Sequence, residues 1–220
     1  PLAGKNATVS RLEKSGKKQA PPAAYDLTEL QRDANKKFGY SAKQTLSLMQ
    51  SLYERHKVLT YPRTDSRYIT DDIVATIPER LRAVAQGSYQ KAAMTLYRKP
   101  LCVKYIVNNA KVTDHHAIIP TEQAANLSKL TFDERNIYDL VVKRFLAVLS
   151  QPCEYDEVKV TLDIGQKSFF AKGKVMKKSG WREIYGSLSD EEDEDAEIKS
   201  QSLPELREGM TLPVLNTKIV

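Results

Sequence analysis

Asp26-Leu-Thr-Glu-Leu-Gln-Arg-Asp-Ala-Asn-Lys-Lys-Phe-Gly-Tyr-Ser-Ala-Lys-Gln-Thr-Leu-Ser-Leu-Met49 carries the pattern that sets the fold. Asp26 followed by Glu29 is a capping-box pair, and Leu27, Leu30 and Ala34 recur at helical spacing behind it. Phe38 and then Gly39 end that helix, because glycine adopts the left-handed conformation that closes a helix at little cost. Ser41 followed by Gln44 is a second capping box. It opens a helix whose Thr45, Leu48, Met49 and Leu52 share a face and which runs to about Lys57. Two helices joined by so short a turn predict a helix-turn-helix-like pair.

Working outward, Val58-Leu-Thr-Tyr61 predicts a short strand. Asp71 or Asp72 is placed to cap a helix with Ile73, Val74, Ile77 and Leu81 inward. A further helix is expected over Tyr89 to Tyr97, loop from Asn108 to Pro120, and a helix from Phe132 to Leu149. The last has Ile137, Leu140, Val141, Arg144 and Phe145 along its stripe. Before the pair, Thr8-Val9 is strand-like. Lys14, Lys17 and Lys18 flank a Ser-Gly that predicts a hairpin turn, and Pro21-Pro22 closes the segment. After Gln151-Pro152 the pattern turns to alternation. Val158 to Ile164 and Phe169 to Val175 predict two strands across a Gly-Gln-Lys turn, Gly180-Trp181 and Ile184-Tyr185 a further strand-like piece, and Thr211 to Leu215 a last strand. The fold class is therefore α+β: a mostly helical domain, 21–149, inserted in a small β frame made of 1–20 and 150–220.

With 41% hydrophobic and 28% charged residues, the 220-residue chain has an ordinary globular composition. Its apolar runs are too short to span a bilayer, so no membrane partner is expected. The opening Pro-Leu-Ala-Gly-Lys-Asn is no signal peptide and predicts an internal cut in a longer protein. Cys102 and Cys153, with no CxxC, suit a reducing cytoplasm. Net charge is +6, yet Asp190 to Glu197 holds seven carboxylates in what the composition predicts to be a solvated loop. Setting those aside leaves 34 basic residues against 21 acidic ones, a surplus of +13. A body so basic invites a polyanion, of which nucleic acid is the commonest, although plain solubility would give the same numbers.

One stretch carries chemistry: Leu59-Thr-Tyr-Pro-Arg-Thr-Asp-Ser-Arg-Tyr68. Pro62 removes a backbone donor, which suits an edge or a loop mouth, and it biases Tyr61 to an extended conformation. In extended chain, residues two apart lie on one side, about 7 Å apart. Tyr61, Arg63 and Asp65 then share a face. A guanidinium grips two phosphate oxygens at once, and a phenol beside it is placed to attack phosphorus. The plainer reading is that Tyr61 is one of eleven tyrosines and packs like most of them.

Thr60-Tyr-Pro-Arg-Thr-Asp-Ser66 resembles the active-site signature of type IA DNA topoisomerases, and the proline after the tyrosine is most similar to their topoisomerase III branch. Asp114-His-His-Ala-Ile-Ile-Pro-Thr121 resembles that branch's histidine segment. Pro21-Pro-Ala-Ala-Tyr-Asp-Leu-Thr-Glu-Leu-Gln31, Lys37-Phe-Gly-Tyr-Ser41 and Gln50-Ser-Leu-Tyr-Glu54 are similar to the opening of the tyrosine-bearing domain. Phe170-Ala-Lys-Gly173 and Gly180-Trp181 are similar to the strands leading out of it. The resemblance covers nearly the whole chain. It implies single-strand DNA cleavage and religation through a 5′-phosphotyrosine, with Tyr61 the nucleophile and Arg63 and His115 the other catalytic residues. Lys43, Thr64, Asp65, Ser66, Arg67 and Lys111 are candidate DNA contacts, though a lone lysine is more often a solvated charge, and the alternative for Thr64 is that it turns inward.

The resemblance also places the metal site and the general acid in a separate N-terminal domain. No cofactor is expected in this stretch, Mg2+ is expected in the full-length enzyme, and the partners expected are DNA, mainly single-stranded, and that domain of the same chain. The expected location is the cytoplasm, with the nucleoid. A flexible acidic run cannot replace a preorganised metal site. A zinc site from Cys102, His115, His116 and Cys153 lacks ligand spacing, and His116 is assigned a structural role. The alternative function is a non-catalytic helix-turn-helix module with Tyr61 a bystander.

Overall fold

The computed structural model describes residues 4–188 and 206–215; the acidic run expected as a solvated loop lies outside the described residues. The architecture is α+β and divides into two compact units. Of the described residues, one unit holds 4–19, 153–179 and 206–215, and the other holds 20–152 and 180–188.

The first unit is an antiparallel sheet of β1 (Asn6–Gln19), β2 (Cys153–Ile164), β3 (Lys167–Lys178) and β4 (Thr211–Pro213), in the order β3-β2-β1-β4. Val9, Val158, Val160 and Leu206 form its small core. Strand β1 pairs with β2 down to Gln19↔Cys153, so the chain leaves and re-enters this unit at paired residues. The hairpin turn expected between Lys14 and Lys18 is absent. Ser15 and Gly16 continue the strand opposite Glu157 and Asp156. A Ser-Gly turn signal is local and weak, and unbroken pairing from Arg11 to Gln19 outweighs it.

In the second unit, α1 (Leu27–Phe38) begins at Asp26, whose carboxylate accepts from Glu29 N at 2.7 Å, and ends at Gly39 with φ 72°. Ser41 caps α2 (Ala42–Gln50), accepting from Gln44 N at 3.1 Å. Helix α2 passes into a π-helical turn, Ser51–Arg55. A 3-10 turn, Asp71–Thr76, precedes α3 (Ile77–Val84). Thr70, not Asp71 or Asp72, stands at its N-cap position, without a side-chain cap bond, and the Asp71 carboxylate accepts from the N–H of Asp72. Next come α4 (Gln90–Tyr97) and α5 (Phe132–Val148), the latter opened by a reciprocal capping box between Thr131 and Glu134.

Helix α5 is enclosed nearly all round, with Ile137, Tyr138, Val141, Val142, Phe145 and Leu146 all buried. Arg144 on this helix donates to Asp33 at 2.6 Å and to the Tyr25 hydroxyl at 3.1 Å, and its guanidinium stacks over the Tyr25 ring. Burial pushes the Tyr25 phenol well above its ordinary value. The strand-like piece expected at 180–185 is instead a turn and a helix, α6 (Arg182–Leu188). The Trp181 N–H donates to the Gln151 carbonyl at 2.9 Å, and Ile184 is buried in the same core as α5. Gly180 makes this return possible. Its φ is +53°, and a Cβ there would lie 2.4 Å from the Pro152 carbonyl oxygen.

Candidate active site

The site begins with the π-helical turn. Ser51 Oγ donates to Glu134 Oε1 at 2.6 Å, and His56 Nε2 lies 3.3 Å from the same oxygen, so one buried carboxylate of α5 holds both ends of the turn. Burial alone would raise the Glu134 carboxyl, but hydrogen bonds from Ser51 and Thr131 outweigh it and hold the group below its ordinary value. Lys57 then takes φ +59°, the only positive φ of a non-glycine residue among the described residues. The Thr121 hydroxyl fixes it by donating to the Lys57 carbonyl at 2.6 Å. That single left-handed residue turns the chain out of the helix and into the extended segment that bears Tyr61.

The extended segment is laced to 111–121 along its length. Leu59 bridges Pro120 and Thr60 N–H donates to Ile119 O at 3.0 Å. The Thr60 hydroxyl donates to Ala117 O at 3.1 Å and accepts from Ile119 N at 2.9 Å. From here exposure alternates. Pro62, Thr64 and Ser66 are buried, Arg63 and Asp65 are exposed, and Tyr61 is half-buried. A two-residue period is what extended backbone imposes.

Thr64 and Ser66, named above as candidate DNA contacts, face inward. Thr64 Oγ1 donates to His115 O at 2.9 Å and accepts from Ser66 N at 3.1 Å, while Ser66 Oγ donates to Lys111 O at 2.8 Å. Their relative exposures are 7% and 4%. Both hydroxyls fix where the histidine segment lies relative to Tyr61.

The Tyr61 ring is held from two directions. The His115 ring lies 4.2 Å away between centroids, tilted by 34°, and the Tyr53 ring of the π-helical turn meets it near-perpendicularly at 5.5 Å. The Lys57 ammonium stands 5.9 Å from the Tyr53 centroid. Tyr61 and His115, far apart in sequence, are thus brought together, with Arg63 exposed two residues along. Arg67 is half-buried, with Nε donating to Ala24 O at 3.3 Å, and the exposed Lys111 stands 5.0 Å over the Tyr68 ring. Lys43 is exposed in the first turn of α2, on a different element.

His116 turns the other way. Its Nδ1 lies 2.8 Å from Ala117 O, and burial holds its imidazole below the ordinary histidine value. Tyr53 is the contact that sequence reasoning missed. Gln50-Ser-Leu-Tyr-Glu54 stands out as a motif, but helical spacing puts Leu52 on the core face and gives Tyr53 no partner. Among the described residues no group of three or more His, Cys, Asp or Glu side chains is placed to hold a metal ion.

A tyrosine stacked on a histidine, beside an exposed arginine and on an α+β scaffold, suits phosphoryl transfer to a side chain. The family model described as DNA topoisomerase (Topoisom_bac) matches residues 2–220, and the chain belongs to that family, of type IA. Its relatives place it in the topoisomerase III branch. It is 55% identical over 210 residues to a DNA topoisomerase 3 of Bacillus cereus, covering 95% of this chain and 29% of that protein. It is 50% identical over 214 residues to DNA topoisomerase 3 of Bacillus subtilis (strain 168), covering 97% of this chain and 29% of that protein. The chain thus spans 29% of the length of these relatives. Full-length topoisomerase I from Thermotoga maritima shares the fold, with a TM-score of 0.67 at 23% identity over 96% of this chain and 33% of that one. No described helix is long and apolar enough to cross a membrane.

Proposed function

We propose that this chain supplies the nucleophile for single-strand DNA cleavage and religation, within a longer protein that passes strands and changes DNA topology. The observation that carries the proposal is the Tyr61 ring packed against His115 with Arg63 exposed beside it. The Tyr61 hydroxyl oxygen attacks a backbone phosphorus in line and gives up its proton. The bond from phosphorus to the 3′-oxygen breaks, the 3′-hydroxyl leaves with a proton, and the 5′-phosphate stays on the tyrosine. Religation is the same displacement in reverse. The 5′ polarity follows from the family resemblance.

Arg63 binds the phosphate oxygens and offsets charge building up on them as the attack proceeds. His115 hydrogen-bonds a phosphate oxygen. Arg67, Lys111, Asp65 and Lys43 line the path of the flanking single strand, and the surplus of basic residues draws it in. We assign the magnesium and the general acid expected of the family to another part of the longer chain, as the family resemblance implies. By itself this chain then relaxes no supercoiled DNA. The proposed location is the cytoplasm, on the nucleoid.

The test is adduct trapping with end-labelled single-stranded DNA in the full-length protein. Tyr61→Phe abolishes the covalent link and leaves DNA binding nearly intact. A 5′-phosphotyrosyl link that survives Tyr61→Phe names another tyrosine, Tyr68 first. No link in the wild type favours a non-catalytic helix-turn-helix module.

A further inference from the structure

We propose that Tyr53 is a positioning residue for the Tyr61 nucleophile; this rests on the role given to Tyr61 above. Tyr61 sits half-buried on extended backbone. The structure restricts its side chain through ring contacts, His115 at 4.2 Å on one side and Tyr53 near-perpendicular at 5.5 Å. Contacts made by rings restrict the phenol without occupying its hydroxyl, which stays available for attack. An edge-to-face pair is also the arrangement that two aromatic quadrupoles prefer.

Tyr53 is itself held more firmly than a surface tyrosine would be. It stands in the π-helical turn Ser51–Arg55, whose ends are both tied to Glu134, at 2.6 Å from Ser51 and 3.3 Å from His56. A π turn closing a helix re-aims the side chains it carries, Tyr53 among them, and π turns are frequent at functional sites. The Lys57 ammonium, 5.9 Å from the Tyr53 centroid, loads the ring further, and Lys57 keeps its left-handed backbone conformation only because the surrounding contacts impose it. Two uncommon backbone features thus flank one ring, and that ring touches the nucleophile.

Reaction rates respond steeply to nucleophile placement, and misplacement by about 1 Å can cost ~100-fold. In the full-length protein, Tyr53→Ala slows single-turnover adduct formation on an end-labelled single-stranded oligonucleotide by roughly 10- to 100-fold. The Kd for the same oligonucleotide changes by less than about twofold, because no phosphate contact is removed. Tyr53→Phe keeps the ring and restores the wild-type rate. An alanine variant at the wild-type rate overturns the proposal. So does a rate loss matched by an equal loss of affinity, or a Tyr53→Phe variant as slow as Tyr53→Ala, since then the hydroxyl and not the ring would matter. Should Tyr53→Ala fail to fold, Tyr53→Leu fills the volume without the ring: a slow rate at unchanged Kd supports the assignment, and a wild-type rate overturns it. Tyr61→Phe runs beside these variants. An adduct in that control overturns the role of Tyr61 itself, whereas loss of adduct there with an unaffected Tyr53→Ala overturns only the role of Tyr53.

Discussion

Glu134→Ala removes one buried side chain and unties two elements. In the wild type the carboxylate accepts from the Thr131 N–H at 2.8 Å and from Ser51 Oγ at 2.6 Å, with His56 at 3.3 Å. Losing the capping interaction costs about 1 kcal/mol. Losing a charge-assisted hydrogen bond costs about 1.5–3 kcal/mol, and the Ser51 hydroxyl is left half-buried without its acceptor. Together about 2.5–4 kcal/mol is expected at neutral pH, less whatever is regained by no longer burying a charge. Because the folded-state carboxyl titrates below its ordinary value, the unfolded chain binds more protons in mild acid. The contribution of Glu134 is therefore complete above the ordinary glutamate range and is lost as pH falls through the lowered folded value. Urea unfolding of both proteins should show the full gap at pH 7 and a shrinking one in acid. The Ser51→Ala, Glu134→Ala double mutant isolates the shared bond. A cost under about 1 kcal/mol at pH 7, or a gap that widens in acid, would refute the reasoning.

Gly180→Ala places a Cβ 2.4 Å from the Pro152 carbonyl oxygen in a left-handed backbone, so it should destabilise the fold by more than the conformational cost alone, about 1–2 kcal/mol, read as a lowered melting temperature. Thr64→Val loses two internal hydrogen bonds and should cost about 1–3 kcal/mol of stability, measured by urea unfolding, while leaving the salt dependence of single-stranded DNA binding unchanged. Arg63→Ala should instead reduce the slope of log affinity against log salt by roughly 0.7, one phosphate contact's share, and slow both cleavage and religation in adduct assays. His115→Ala should slow adduct formation less than Tyr61→Phe, which removes the attacking atom.

Local signals were the legible ones. Asp26 and Ser41 cap helices where the sequence put them, because a cap is a contact between residues three apart. The alternation across 61–66 was legible for the same reason. What Thr64 and Ser66 bind was not, because their partners, the carbonyls of His115 and Lys111, lie about fifty residues away. Ser15-Gly16 and Trp181–Tyr185 were misread where tertiary contacts overrode local preference: the first lies in a long strand pairing, and the second packs Ile184 against a helical core. Tyr53 escaped notice because a π turn breaks the 3.6-residue count on which helical faces are assigned.

The alternation across 61–66 also sets how this stretch can vary. Arg63 and Asp65 project outward while Pro62, Thr64 and Ser66 anchor the segment, with a period of two. Deleting or inserting one residue between Tyr61 and Ser66 would exchange the two sets, burying a guanidinium and exposing the anchors. Insertional scanning should therefore find this segment tolerant of some substitutions and intolerant of any change in length, like a reading frame written in backbone geometry.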